Sequence, residues 1–184
     1  REKFTIEEAL PRFELQDINP APSRLPYSKL EWLNGQYIQE MPPEELAQAV
    51  RPFLERAGYT VSDEALLAIM PAMSVRLKRL SDAVEFLGFL GADEKQAPLA
   101  AGDLVHKKLP HERALAAFRE ARDFVRETER FDLPTIQEAF YAIGERHAEN
   151  GKAGPFLGKA RLAITRQEVS PPLFESMVAL GREL

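Results

Sequence analysis

No cysteine occurs anywhere in the chain. Disulfides, thiolate nucleophiles and thiolate zinc sites are thereby excluded, and the three histidines and the carboxylates are the only side chains left that could ligate a metal. No apolar run approaches the roughly 18 residues of a membrane span, and the opening Arg1-Glu2-Lys3-Phe4 lacks the apolar core of a secretory signal. A cytoplasmic setting is expected. The chain opens on Arg rather than Met, so it is expected to be a piece of something longer. Positive charge is also in short supply. The 24 Lys and Arg against 29 Asp and Glu leave a net charge of −5, which argues against a protein that coats nucleic acid indiscriminately through phosphate contacts. Local contacts remain open. Residues 1–70 hold 7 basic and 12 acidic side chains, whereas residues 71–184 hold 17 of each. In that second part Arg76, Lys78 and Arg79 cluster, and no acid falls between Lys152 and Arg166, a span that includes Lys159 and Arg161.

What is present suits helices. The 184 residues are 45% apolar, enough for one compact domain or two small helical lobes, and no sustained period-2 alternation requires a sheet. Thr5-Ile6-Glu7-Glu8 and Ser28-Lys29-Leu30-Glu31 fit the capping box, in which a hydroxyl and a carboxylate satisfy two orphan backbone donors. Pro20, Pro22 and Pro26 make Leu15 to Tyr27 a loop. Pro42-Pro43 ends the helix containing Trp32 and opens another, stopped by Gly58, in which Pro52 predicts a kink or break. Ser62-Asp63 caps a helix that Pro71 should interrupt, with Ser74 and Ser81 as further starts. Gly91 to Lys108 is the weakest stretch for local structure. Beyond it, helices open at Pro110, Asp132-Leu133-Pro134, Pro155 and Ser170-Pro171-Pro172, the second ending near Asn150-Gly151 and the last at Gly181.

Catalytic patterns are missing. His111-Glu112 lacks a second metal ligand four residues on, where Leu115 stands. His106 and His147 have no nucleophile or acid partner in a recognisable arrangement, and the glycines form no phosphate-cradling loop. No catalytic, cofactor or metal site is therefore assigned. Arg119-Glu120, Arg122-Asp123 and Arg126-Glu127 alternate charge in the manner of a solvated helix face. From the residues alone, a stand-alone helical adaptor that binds another protein through its apolar seams is a fair reading.

A resemblance points elsewhere. Lys29-Leu30-Glu31-Trp32-Leu33-Asn34-Gly35-Gln36-Tyr37-Ile38 resembles the K-L-x-W-[LM]-N-x-x-Y-[IL] segment of bacterial-type glutamyl-tRNA synthetases. Arg1-Glu2-Lys3-Phe4-Thr5 with Glu8 is similar to that family's R-E-x-[FL]-T-x-x-E, and Pro52-Phe53-Leu54 followed by Ala57-Gly58 to its P-[FL]-L-x-x-[AG]. Leu162-Ala163-Ile164-Thr165, then Ser170-Pro171-Pro172-Leu173-Phe174 and Leu180-Gly181, resemble its closing segment, with Arg166 standing where the family usually has Gly. These matches keep one order along almost the whole chain.

The resemblance implies an all-α fold, an elongated array of short helices: residues 1–41 as the end of a stem-contact region, 42–92 as a first anticodon-binding lobe and 93–184 as a second. It implies a monomer whose partners are glutamate tRNA and an upstream catalytic domain of the same polypeptide. That parent ligase would attach glutamate to tRNA, with ATP and magnesium held in the catalytic domain. The H-[IV]-G-H and K-[ML]-S-K motifs of that domain do not occur in this chain, and Lys78-Arg79-Leu80-Ser81 suggests the latter only superficially, so this stretch alone is expected to bind without aminoacylating.

By the same resemblance Arg76 matches the position that contacts the third anticodon letter, and Arg161 with Ser170, Pro171 and Leu173 matches positions around the first. Lys29 and Trp32 match a segment placed against the tRNA stem. The chemistry suits the assignment, because a guanidinium carries only donors. The pairing edge of cytosine, the third letter for glutamate, offers two acceptors. Guanine, the third letter for glutamine, would set donors against donors, at a cost of about 1 to 3 kcal/mol for each unmet group.

Overall fold

The computed structural model describes residues 3–22, 24–91, 99–167 and 171–182. Nine α-helices follow one another among these residues: α1 (Ile6–Ala9), α2 (Tyr27–Glu40), α3 (Pro43–Arg56), α4 (Asp63–Met73), α5 (Ala83–Leu87), α6 (His111–Glu127), α7 (Leu133–His147), α8 (Gly154–Thr165) and α9 (Leu173–Leu180). No strand is present among them, only an isolated antiparallel bridge between His106 and Leu109.

Local chemistry sets several of the boundaries. The Thr5 hydroxyl accepts from the Glu8 N–H at 3.3 Å while the Glu8 carboxylate accepts from the Thr5 N–H at 3.0 Å, the reciprocal cap that opens α1. Ser62 accepts from the Ala65 N–H at 3.2 Å and Asp132 from the Thr135 N–H at 3.0 Å, starting α4 and α7. Pro26 rather than Ser28 occupies the cap position of α2, so the hydroxyl falls inside the first turn. Ser74 closes α4 instead of opening a helix: its N–H bonds to Met70 O at 2.9 Å and its hydroxyl to Pro71 O at 3.2 Å. Ser81 lies within a 3-10 turn, Leu80–Asp82, that leads into α5. α7 stops at His147, where the Ala148 N–H bonds to Gly144 O, short of Asn150-Gly151.

Neither proline breaks its helix. Pro52 and Pro71 are both exposed, on the faces of α3 and α4 away from their buried residues. An internal proline costs about 3 kcal/mol, but Leu46, Val50 and Leu54 on α3 and Leu66, Ile69, Met70 and Met73 on α4 are all fully buried and hold both helices through it. Tertiary packing outweighs the lost hydrogen bond.

Two cores result. The first is aliphatic and thioether-rich, built by α3, α4 and α5 with Ile38 of α2 and Leu77. The second is aromatic, built by α6, α7 and α8, where the Phe156 ring lies 5.5 Å from Phe118 and 5.7 Å from Phe140. Ala114, Ala117 and Ala121 are buried along α6 and let α7 approach closely. Outside this core, the Glu120 carboxylate of α6 sits 2.7 Å from His147 Nε2 and also pairs with Arg146. The bond to His147 holds that carboxyl below its ordinary range. The expected boundary between residues 92 and 93 lies outside the described residues; the described residues before it join the first core, and those after it build the second while also giving Ala179 to the first.

α9 belongs to both. Leu173 and Met177 are buried in the second core and Ala179 in the first, and the most extensive helix packing among the described residues is α9 against α4. The Gln167 side-chain amide adds a bond to Glu85 O of α5 at 2.7 Å. The front of the chain is different. None of the described residues up to Leu30 is buried, and Phe4, Ile6, Leu10, Phe13, Leu15 and Ile18 are exposed.

Two backbone positions are demanding. A Cβ on Gly144 would meet Ala153 Cα at 2.7 Å and its Cβ at 2.9 Å, where α7 meets the start of α8. Arg166 caps α8 in the left-handed region, φ 58° and ψ 18°, the conformation that glycine adopts without penalty. Gly144→Ala should therefore lower stability by about 1 to 3 kcal/mol, read as a fall in urea midpoint. Arg166→Gly should raise stability by about 1 kcal/mol, read by thermal melting; a fall would show that the arginine side chain supports the fold.

Candidate nucleic-acid interface

The first basic spot is a turn held from both sides. Beyond α4, the N–H of Arg76 bonds to Met73 O at 2.8 Å and that of Leu77 to the same oxygen at 3.1 Å, with Leu77 buried as the anchor. The Asp82 carboxylate accepts from the Lys78 N–H at 3.2 Å, the Arg79 N–H at 2.9 Å and Arg79 Nε at 3.2 Å. From the other side the Asn34 amide of α2 donates to Lys78 O, and Glu31 stands 4.0 Å from Arg79. These carboxylates engage Arg79 and the backbone, and Arg76 is exposed between Met73 and Leu77.

This docking brings Arg76's turn together with the helix that carries Lys29 and Trp32. Lys29 is exposed, and Trp32 is 41% exposed rather than a closed core anchor. Asn34 and Asp82 are the residues that position this spot. Asn34 lies within the W-L-N pattern and could be noticed in the sequence, but its partner 44 residues away could not.

The second spot lies on the other core. Arg161 of α8 is half-buried, and its Nε is enclosed with no hydrogen-bond partner. Its side chain makes no hydrogen bond or ion pair with any described residue. A guanidinium nitrogen withdrawn from water and unmatched is costly unless something else supplies an acceptor. The buried Thr165 hydroxyl donates to Arg161 O at 2.9 Å and accepts from the Gln167 N–H at 3.3 Å, which fixes the chain as it leaves α8 through the left-handed Arg166.

Ser170 lies outside the described residues. Pro171 is buried, Pro172 caps α9, and the Ser176 hydroxyl donates back to Pro172 O at 2.8 Å. Leu173 is 3% exposed, inside the second core, so its side chain anchors the turn. Arg76 and Arg161 are thus displayed by different cores that α9 ties together. Among the described residues, no group of three potential metal ligands occurs.

The fold is thus an all-helical one of two cores, each displaying a cationic side chain. The family model described as "Anticodon binding domain" matches residues 45–184, and the chain belongs to that family. Similar proteins include glutamate–tRNA ligases of Chloroflexus aurantiacus, 33% identical over 99% of this chain and 37% of that protein, and of Roseiflexus castenholzii, 36% identical over 98% and 36%. The chain therefore spans little more than a third of the length of these relatives. A crystal structure of a glutamate–tRNA ligase from Elizabethkingia meningosepticum with its amino acid superposes with a TM-score of 0.79 at 22% identity, over 98% of this chain and 34% of that one. A glutamate–tRNA synthetase from Elizabethkingia anophelis gives 0.73 at 20%, over 93% and 32%. Both structures share the fold.

The two kinds of residue should respond differently to truncation. Leu173→Ala should cost about 2 to 5 kcal/mol in urea unfolding, as for a buried leucine, whereas Arg76→Ala should stay within about 0.5 kcal/mol of the parent. A large loss for Arg76→Ala would make it a structural residue.

Proposed function

We propose that this chain is the anticodon-reading part of a glutamate–tRNA ligase and that it binds glutamate tRNA. Arg76 reads the third anticodon letter, and Arg161, with Ser170, Pro171 and Leu173, holds the first. The observation that carries the reading is a half-buried Arg161 whose side chain has no hydrogen-bond or ion-pair partner among the described residues, in a chain of the anticodon-binding family. Sequence-specific RNA readers engage unstacked bases, and the accessible part of the half-buried Arg161 side chain offers donors to one.

The remaining features support the same reading. Lys29 and the partly exposed Trp32 offer a cation and an aromatic face to a tRNA stem. The exposed apolar side chains between Phe4 and Ile18 suit a segment that packs against another part of the protein. That part is the catalytic domain, where ATP and magnesium serve the joining of glutamate to tRNA; this chain alone binds without catalysis. The working protein is a cytoplasmic monomer. No helix among the described residues is long and apolar enough to cross a membrane.

The test is binding to anticodon stem-loop RNAs that differ only in the third letter. The parent chain should prefer cytosine to guanine, and Arg76→Ala should reduce that preference by about tenfold, the value of one well-made bidentate base contact. Arg161→Ala should weaken binding to both RNAs. Indifference to every tRNA at low salt, with capture of a protein partner instead, would return the helical adaptor.

A further inference from the structure

The second core also carries a basic groove that no local sequence pattern discloses. It encloses about 660 Å³ between the His106–Leu109 turn and the first half of α8. Four lysines line it, Lys107, Lys108, Lys152 and Lys159, with His106, and among the described residues no carboxylate belongs to its lining. In a chain with more acids than bases, that concentration of one sign is a local reversal of the overall charge.

The groove is built from three separate segments. His106 and Leu109 exchange backbone bonds of 3.1 and 2.7 Å, which puts Lys107 and Lys108 at the tip of a tight turn, and buried Leu109 pins that turn to the core. The Glu149 N–H bonds to Lys108 O at 3.0 Å, fastening the turn to the segment just beyond α7. Lys159 Nζ donates to Asp103 O at 2.6 Å, which fastens α8 to the preceding 3-10 turn. The Asp103 carboxylate is occupied in accepting the Ala100 N–H at 2.8 Å. His106 Nδ1 accepts from the Lys108 N–H at 3.1 Å, leaving Nε2 as the ring's donor. Gly154 and Gly158 sit one helical turn apart along the groove, with nothing within 4 Å of where their Cβ atoms would stand. A bulky ligand can therefore approach the backbone of α8 closely.

We propose that this groove holds the phosphodiester backbone of the bound RNA, as a sequence-independent contact separate from the arginines that read bases. The proposal rests on the anticodon reading above. Ammonium groups are point charges without the planar fork that selects a base edge, so a lysine-lined groove neutralises phosphate and positions the strand rather than reading it. An acidic protein segment would need the same charge, but the family to which the chain belongs favours RNA.

The test is a salt titration of tRNA binding by the whole chain. The double substitution Lys107→Gln with Lys152→Gln should leave the melting temperature unchanged. It should weaken binding on the order of tenfold and flatten the slope of log affinity against log salt by about 1.4, the release expected for two single-strand phosphates. Those losses should be equal for RNAs with cytosine or guanine as the third anticodon letter. Gly158→Asp, which brings a carboxylate into open space, should act in the same direction. Unchanged slope and affinity in both variants, with the parent still preferring cytosine, would overturn the groove assignment and leave the base-reading arginines standing. Loss of poly-glutamate binding with RNA binding intact would overturn it in favour of an acidic protein partner. Flattened slopes in a protein that never distinguished cytosine from guanine would uphold the groove and sink the base reading.

Discussion

One short helix lying across another fixes the relation between the two cores. α9 has only eight residues, yet it buries Leu173 and Met177 in one core and Ala179 in the other while packing along α4. A helix apolar around most of its circumference has to be enclosed, and here the enclosing partners come from both halves of the chain. Arg76 stands just past the end of α4, and the turn matched to the first anticodon letter leads directly into α9. The spacing between the two basic spots is set by this contact.

On the proposed reading, the arginines and the lysine groove divide the work by chemistry. Arg161 is half-buried with its side chain unpartnered among the described residues, and a fork of donors favours a base edge that presents acceptors. The lysines of the groove surround open space, a geometry that rewards negative charge of any sequence. Affinity and discrimination are in this way assigned to different side chains. An overall acidic chain can hold RNA without holding every RNA, because its cations are concentrated where the fold gathers them.

Much of the helical outline was legible because it is local. Thr5, Ser62 and Asp132 cap within three residues of themselves, and Pro42-Pro43 and Pro155 mark helix starts by their own geometry. Pro71 misled for the complementary reason: its cost is local, whereas the burial of Met73 that offsets it is not. Ser74 shows that a hydroxyl suits a helix end as well as a start, and only its bond to Pro71 O decides which. At the interface, Arg76 and Arg161 were visible through the family pattern. Lys107 and Lys108 were not, since more than forty residues separate them from Lys152, and folding alone makes them neighbours. Asn34 and Asp82 were hidden in the same way, as residues that hold a reader in place without reading.

The central claim is that one RNA spans both cores through these surfaces. Hydrogen–deuterium exchange of the chain with and without a glutamate-tRNA anticodon stem-loop measures this directly. Protection should rise together in the turn at 74–79 and in the segment from Arg161 to Leu173, while the exposed segment from Phe4 to Ile18 stays unchanged. Protection confined to one core, or falling on the exposed front segment instead, would contradict the account.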